Sequence, residues 1–170
     1  NIMNAQKINA SDLVIFSESK PVKVINAQDR TLYTSCQKMN LKENNDVLQS
    51  DPDNDVLKIV VLNRYKSQKP SVGFVKNFGL KKGAIATSVA HDSHNIIAVG
   101  VSDEDITIAI NKIIDIGGGN VVYNQKETHY LQLEFGGLMT NQPVNSVAQK
   151  YKELNGYTYE LGCDLYAPFM

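Results

Sequence analysis

Apolar and polar positions along this chain fall into short blocks, and the blocks change character near the first third. Leu13-Val14-Ile15-Phe16 is a short apolar run, and Pro21-Val22-Lys23-Val24-Ile25 alternates. Ser17-Glu18-Ser19-Lys20 between them has the composition of a hairpin loop, so two strands are predicted. Two short strands do not form a stable unit by themselves and must lean on other elements. From Asn40 to Asp55 the chain turns polar and reads as a linker. Beyond it the apolar density rises. Ile59-Val60-Val61-Leu62, the stretch Ala84 to Ala90, and Ile96-Ile97-Ala98-Val99-Gly100-Val101 are each predicted as strands. The polar insertion His91-Asp92-Ser93-His94-Asn95 is short enough to be a hairpin tip.

A change of period from two to 3.6 marks the helices. Ser102 is a good N-cap, and Asp103, Glu104 and Asp105 load the first turn with the charge that the helix dipole favours. Ile106, Ala109, Ile110, Ile113 and Ile114 then form one apolar stripe, ended by Gly117. A hairpin follows: Val121-Val122-Tyr123, a turn near Asn124-Gln125, and Leu131, Leu133 and Phe135 alternating with polar residues up to Gly136-Gly137. Pro143 opens a second helix, with Val144, Val147, Ala148, Tyr151 and Leu154 at helical spacing. Tyr157 and Leu161 continue that stripe, which favours one helix ending at Gly162; a stop at Gly156 followed by a short strand is the alternative. The fold class predicted is α+β, a largely antiparallel sheet with two main helices, preceded by a short β-rich segment.

Composition narrows the function classes. The chain has 170 residues, 42% of them hydrophobic and 21% charged, which is ordinary for a globular domain. The formal net charge of −1 lacks the basic footprint of a dedicated nucleic-acid binder. No apolar run approaches the roughly 20 residues of a membrane helix, and no signal peptide is visible, so no membrane partner and a cytoplasmic location are expected. Cys36 and Cys163 stand in no metal-binding or disulfide pattern.

Chemistry is sparse. Gly117-Gly118-Gly119 follows a helix, whereas a phosphate loop must precede one, so it reads as a helix cap. Ser88 and Ser93 have bases nearby but occupy no nucleophile elbow. One cluster stands out: His91, Asp92, Ser93 and His94, two imidazoles, a carboxylate and a hydroxyl that can relay protons or orient a polar ligand. A complete metal centre needs a third ligand, and the one other histidine, His129, would have to fold onto the tip. A plain turn with solvated histidines is the competing reading.

The stretch from Val72 to Gly100, including Thr87-Ser88-Val89-Ala90-His91-Asp92-Ser93-His94-Asn95, resembles the C-terminal domain of bacterial adenine deaminases, of the amidohydrolase superfamily. The likeness continues through Ser102-Asp103-Glu104-Asp105-Ile106, Gly118-Gly119, Gly136-Gly137-Leu138-Met139, Leu161-Gly162-Cys163 and Pro168-Phe169-Met170. Ser11-Asp12-Leu13-Val14-Ile15-Phe16 resembles the strand by which amidohydrolases re-enter their small β-domain. The resemblance divides the chain into residues 1–45, part of that β-domain, and residues 46–170, the C-terminal α+β domain.

The resemblance implies hydrolysis of adenine to hypoxanthine and ammonia by a metal-activated water in a barrel, with manganese or iron as the metal. This sequence has no His-x-His pair and no room for a barrel of about 250 residues. The expectation is therefore an accessory portion that binds no metal alone. Its partners would be the barrel of the same polypeptide, the substrate adenine and possible homo-oligomer copies. The tip residues His91, Asp92, Ser93 and His94 are the candidates for approach to the active site. The alternative is a structural or oligomerisation module with no direct active-site role.

Overall fold

The apolar blocks after the linker stack into one sheet because each carries alternate residues for two different helices. A computed structural model describes residues 3–17, 21–31, 33–91 and 93–169. Its strands are β1 (Val22–Asn26), β2 (Ser35–Met39), β3 (Glu43–Asn44), β4 (Val47–Leu48), β5 (Val56–Leu62), β6 (Ser71–Lys76), β7 (Ala84–Thr87), β8 (Ile96–Gly100), β9 (Gly119–Tyr123) and β10 (Thr128–Gln132). The helices are α1 (Asp103–Asp115) and α2 (Val144–Glu160). Eight strands form a sheet in the order β10-β9-β7-β8-β5-β6-β1-β2, while β3 and β4 make a separate small hairpin. Every pairing in the large sheet is antiparallel except β1 with β6, which are parallel over Ile25↔Val75 and Asn26↔Lys76.

The pleat sorts neighbouring residues to opposite faces. On one face Val60, Leu62, Ala84, Ala86, Ile96, Ala98 and Val121 pack against Ile106, Ala109, Ile110 and Ile113 of α1. On the other, Leu57, Ile85, Val99, Val122 and Leu131 pack against Leu154 and Leu161 from α2 and its C-cap. The α1 side is lined by small residues, so that helix approaches closely. A Cβ on Gly100 would stand 2.6 Å from both Ala84 Cβ and Ile106 Cγ1. A third cluster, Val24, Leu41, Leu48, Val56 and Phe74, ties the small hairpin to β1, β5 and β6 of the sheet.

Helix ends follow the sequence. Ser102 accepts the N–H of Asp105, and α2 runs unbroken through Gly156, whose missing side chain faces open space. The left-handed Gly162 lies just past the end of α2, and the Cys163 N–H closes the last turn on Thr158 O.

The opening segment departs from expectation. Leu13-Val14-Ile15-Phe16 is not a strand: a 3-10 turn spans Ala10–Leu13, held by the Asn9 N–H donating to Asp12 Oδ2, and Phe16 makes only an isolated bridge to Val47. The hairpin partner of β1 is β2, not this run. Of the expected loop, Glu18, Ser19 and Lys20 lie outside the described residues. Nor is the stretch from Asn40 to Asp55 a bare linker, since it holds β3, β4 and a 3-10 turn at Pro52–Asn54.

Leu13 has a reason to leave a strand. Lys58, in the middle of β5, is 2% exposed and sits on the α1 face. Its ammonium donates to Asp103 Oδ1 and Oδ2 at 2.7 and 2.8 Å and to Leu13 O at 3.1 Å. Three acceptors match three N–H donors, so the charge is compensated. Lys58→Ala should destabilise the fold by about 3 kcal/mol or more, since it strands Asp103. Lys58→Met with Asp103→Asn should cost markedly less, and denaturant titration of both variants checks the order.

Candidate functional site

The tip at residues 88–95 is where the sequence places its chemistry. It connects β7 to β8, whose last pair is Thr87↔Ile97. The loop closes on itself: the His94 N–H donates to Ala90 O at 2.9 Å and the Ser93 N–H to His91 O at 3.0 Å. His94 takes a left-handed φ of 49°, an unusual conformation for a residue with a Cβ. Its ring is half-buried, and its Nδ1 is buried without a hydrogen-bond partner among the described residues. His91 and Ser93 are exposed, and Asp92 lies outside the described residues.

The two histidines have separate surroundings. His91 lines a cavity of about 400 Å³ together with Phe78, residues of the β1–β2 turn such as Asp29 and Arg30, and Tyr166 near the C-terminus. That cavity is knitted by the Tyr166 N–H donating to Asp29 Oδ1 at 2.9 Å and by the Arg30 guanidinium 4.6 Å over the Tyr166 ring. His94 is not among its lining residues. His129 does not come to the tip: its ring stacks on Tyr157 at 3.7 Å, with Glu127 Oε2 3.7 Å from Nε2. Among the described residues no three His, Cys, Asp or Glu side chains converge on a metal position. The tip can therefore donate, accept and orient, but the donor set described here does not fit the manganese or iron that the resemblance implies.

Sequence reasoning missed what holds the tip in place. Arg64, just past β5, is 2% exposed and makes no ion pair among the described residues. Its Nη1 donates to Gly136 O at 2.6 Å and its Nη2 to Tyr65 Oη at 3.3 Å. Tyr65 Oη in turn donates to Ser93 O at 3.2 Å, which braces the tip. Beneath it Ser88 is fully buried; its Oγ donates to Gly137 O at 2.7 Å and accepts the Gly119 N–H at 2.8 Å. With both of these bonds made in the core, Ser88 is a structural pin and not a nucleophile.

The glycine pairs belong to the same brace. A Cβ on Gly118 would lie 2.3 Å from Gly137 Cα, and one on Gly137 would lie 2.8 Å from Arg64 Nη1. Two backbones touch there, and only glycine fits at both. The two Gly-Gly pairs, Gly118-Gly119 and Gly136-Gly137, were the available signal for this contact.

Neither cysteine joins the tip. Cys36 is exposed on β2 and Cys163 is buried after α2, both as free thiols. Burial pushes the Cys163 thiol up to about 11. At pH 8 its thiolate fraction is then on the order of one in a thousand. Iodoacetamide at pH 8 should modify Cys36 readily and spare Cys163 until denaturant is added, as read by peptide mass spectrometry. Rapid native labelling of Cys163 would contradict its packing.

Comparison with known proteins adds what geometry cannot. A model of the adenine deaminase C-terminal domain matches residues 31–170. A curated protein of Methanosarcina barkeri named adenine deaminase is 44% identical, with 100% of this chain and 32% of the relative covered. One of Clostridium botulinum with the same name is 44% identical over 76% of this chain and 22% of its own length. One of Salinibacter ruber is 38% identical over 100% of this chain and 31% of its own length. The chain thus spans about a third or less of the length of these relatives.

Proposed function

The chain belongs to the adenine deaminase C-terminal domain family, and from that premise we propose that it serves as the accessory part of an enzyme hydrolysing adenine to hypoxanthine and ammonia. The observation that carries this reading is a family match over 140 residues, 31–170, with relatives named for that activity. The catalytic barrel and its manganese or iron would lie in the remainder of the polypeptide, because the described residues offer no group of three metal ligands. The metal, when bound there, supplies an activated water. The unpaired thiols Cys36 and Cys163 suit a cytoplasmic enzyme.

Within that reading His91, Ser93 and His94 face the mouth of the barrel, with Asp92 beside them in sequence. A second domain can cover such a mouth, exclude water and add polar groups around the substrate. Neutral imidazole both donates and accepts near pH 7, so the histidines are the groups assigned to substrate contact or proton traffic. What supports the assignment is the brace: the structure spends a buried arginine, a tyrosine hydroxyl and two glycine pairs on fixing one polar loop. A purely structural or oligomer-forming module would serve equally with unbraced side chains at that point.

Two measurements test the proposal. The chain alone should release no ammonia from adenine and should hold no stoichiometric transition metal by elemental analysis. In the full-length enzyme His91→Ala or His94→Ala should lower kcat roughly tenfold, about 1.4 kcal/mol in the barrier, with Tm unchanged. Wild-type kinetics in both variants would remove the tip from the active site and leave the structural role.

A further inference from the structure

The brace has an outer surface, and its composition is not that of a finished exterior. Tyr65, Phe135 and Met139 are 41%, 51% and 65% exposed. All three are held by the same small set of bonds. Arg64 lies under the Tyr65 ring at 5.0 Å, and its Nη1 fixes Gly136, the residue after Phe135. The Phe135 N–H donates to Met139 O at 2.9 Å, closing a tight turn through the left-handed Gly136 and Gly137. Rigid presentation of two large apolar side chains at the end of a pinned turn is the anatomy of a contact surface, whereas single scattered apolar residues are ordinary.

The same place receives the N-terminal arm. The Asn4 N–H donates to Arg64 O at 2.7 Å, and Asn4 Nδ2 donates to Tyr65 O at 3.3 Å. In the relatives, two thirds or more of the polypeptide lies outside the matched segment, and the family is by its description a C-terminal domain. Polypeptide preceding such a domain arrives at Asn4, next to Tyr65. Tyr65 also holds the tip through Ser93 O. We propose that the face carrying Tyr65, Phe135 and Met139 is the docking surface for the preceding, catalytic part of the same polypeptide. The proposal rests on the family reading above, but it makes no use of whether the histidines act in turnover.

Hydroxyl-radical footprinting of the wild-type full-length protein tests it without any substitution. Rates at Met139, Phe135 and Tyr65 are compared, native against unfolded, with Tyr159 of α2, 49% exposed, as the internal reference. Water-excluded interface cores should slow oxidation roughly tenfold at Met139 and Phe135 relative to Tyr159, against less than about twofold for a bare surface. Protection that persists when dilution leaves single chains supports the proposal. Reactivity at Met139 and Phe135 equal to that of Tyr159 overturns it. Protection lost on dilution also overturns it and assigns the face to a second copy. Full protection together with wild-type kinetics in His91→Ala and His94→Ala would keep the docking surface and end the active-site reading, so the two ideas fail separately.

Discussion

A lysine in the middle of a central strand sets the terms for everything around it. The charge of Lys58 cannot be left bare in an apolar layer, where an uncompensated ion costs several kcal/mol. The nearest remedy is Asp103 in the first turn of α1, so that helix must begin directly above β5. Fixing that start aims the Ile106, Ala109, Ile110 and Ile113 stripe across Ala84, Ala86 and Ala98, and leaves no room for a side chain at Gly100. The third hydrogen bond of the ammonium recruits Leu13 O, which draws the opening segment onto the α1 face of the sheet. One strand residue thus positions a helix, an arm and a row of small side chains.

Much of this fold was legible, and the reasons are local. The α1 stripe repeats one period behind its Ser102 cap, and β7 and β8 are short uncharged runs buried on both faces. The unbroken α2 was legible because Tyr157 and Leu161 extend its stripe past Gly156, which outweighed the competing strand alternation after that glycine. What the sequence hid depends on partners far along the chain. Leu13-Val14-Ile15-Phe16 has strand composition, yet the Asn9–Asp12 cap and Lys58 turn its start into a 3-10 turn. β2 was missed because it is an edge strand with four of its five residues exposed, so it shows no alternation. β6 was missed because Gly73 interrupts its apolar run.

The candidate site divides along the same line. Its address was legible, because His91 to Asn95 is a polar break between two apolar strands. Its support was not. Arg64 and Gly136 are 72 residues apart, and Tyr65 and Ser93 are 28 apart. Arg64 in particular reads as an ordinary surface cation in sequence, while the fold buries it without a carboxylate partner among the described residues. Only the glycine pairs hinted at a close backbone crossing, and they were explicable one at a time as a helix cap and a strand end. A long-range brace leaves no periodic trace.

The opening arm also carries a schedule. The Ile8 N–H is satisfied by Asn111, 103 residues later, and Asn4 by Arg64. On a ribosome adding about 5–20 residues per second, the arm waits roughly 5–20 seconds between its own synthesis and that of its anchor. During that interval it is unpaired chain next to whatever was made before it. The earlier part of a longer polypeptide would therefore have time to fold with this arm still slack, and the arm would be drawn tight only when α1 forms. Such a clasp closes partway through the making of the domain, once β5 and α1 are out and before β9, β10 and α2 follow.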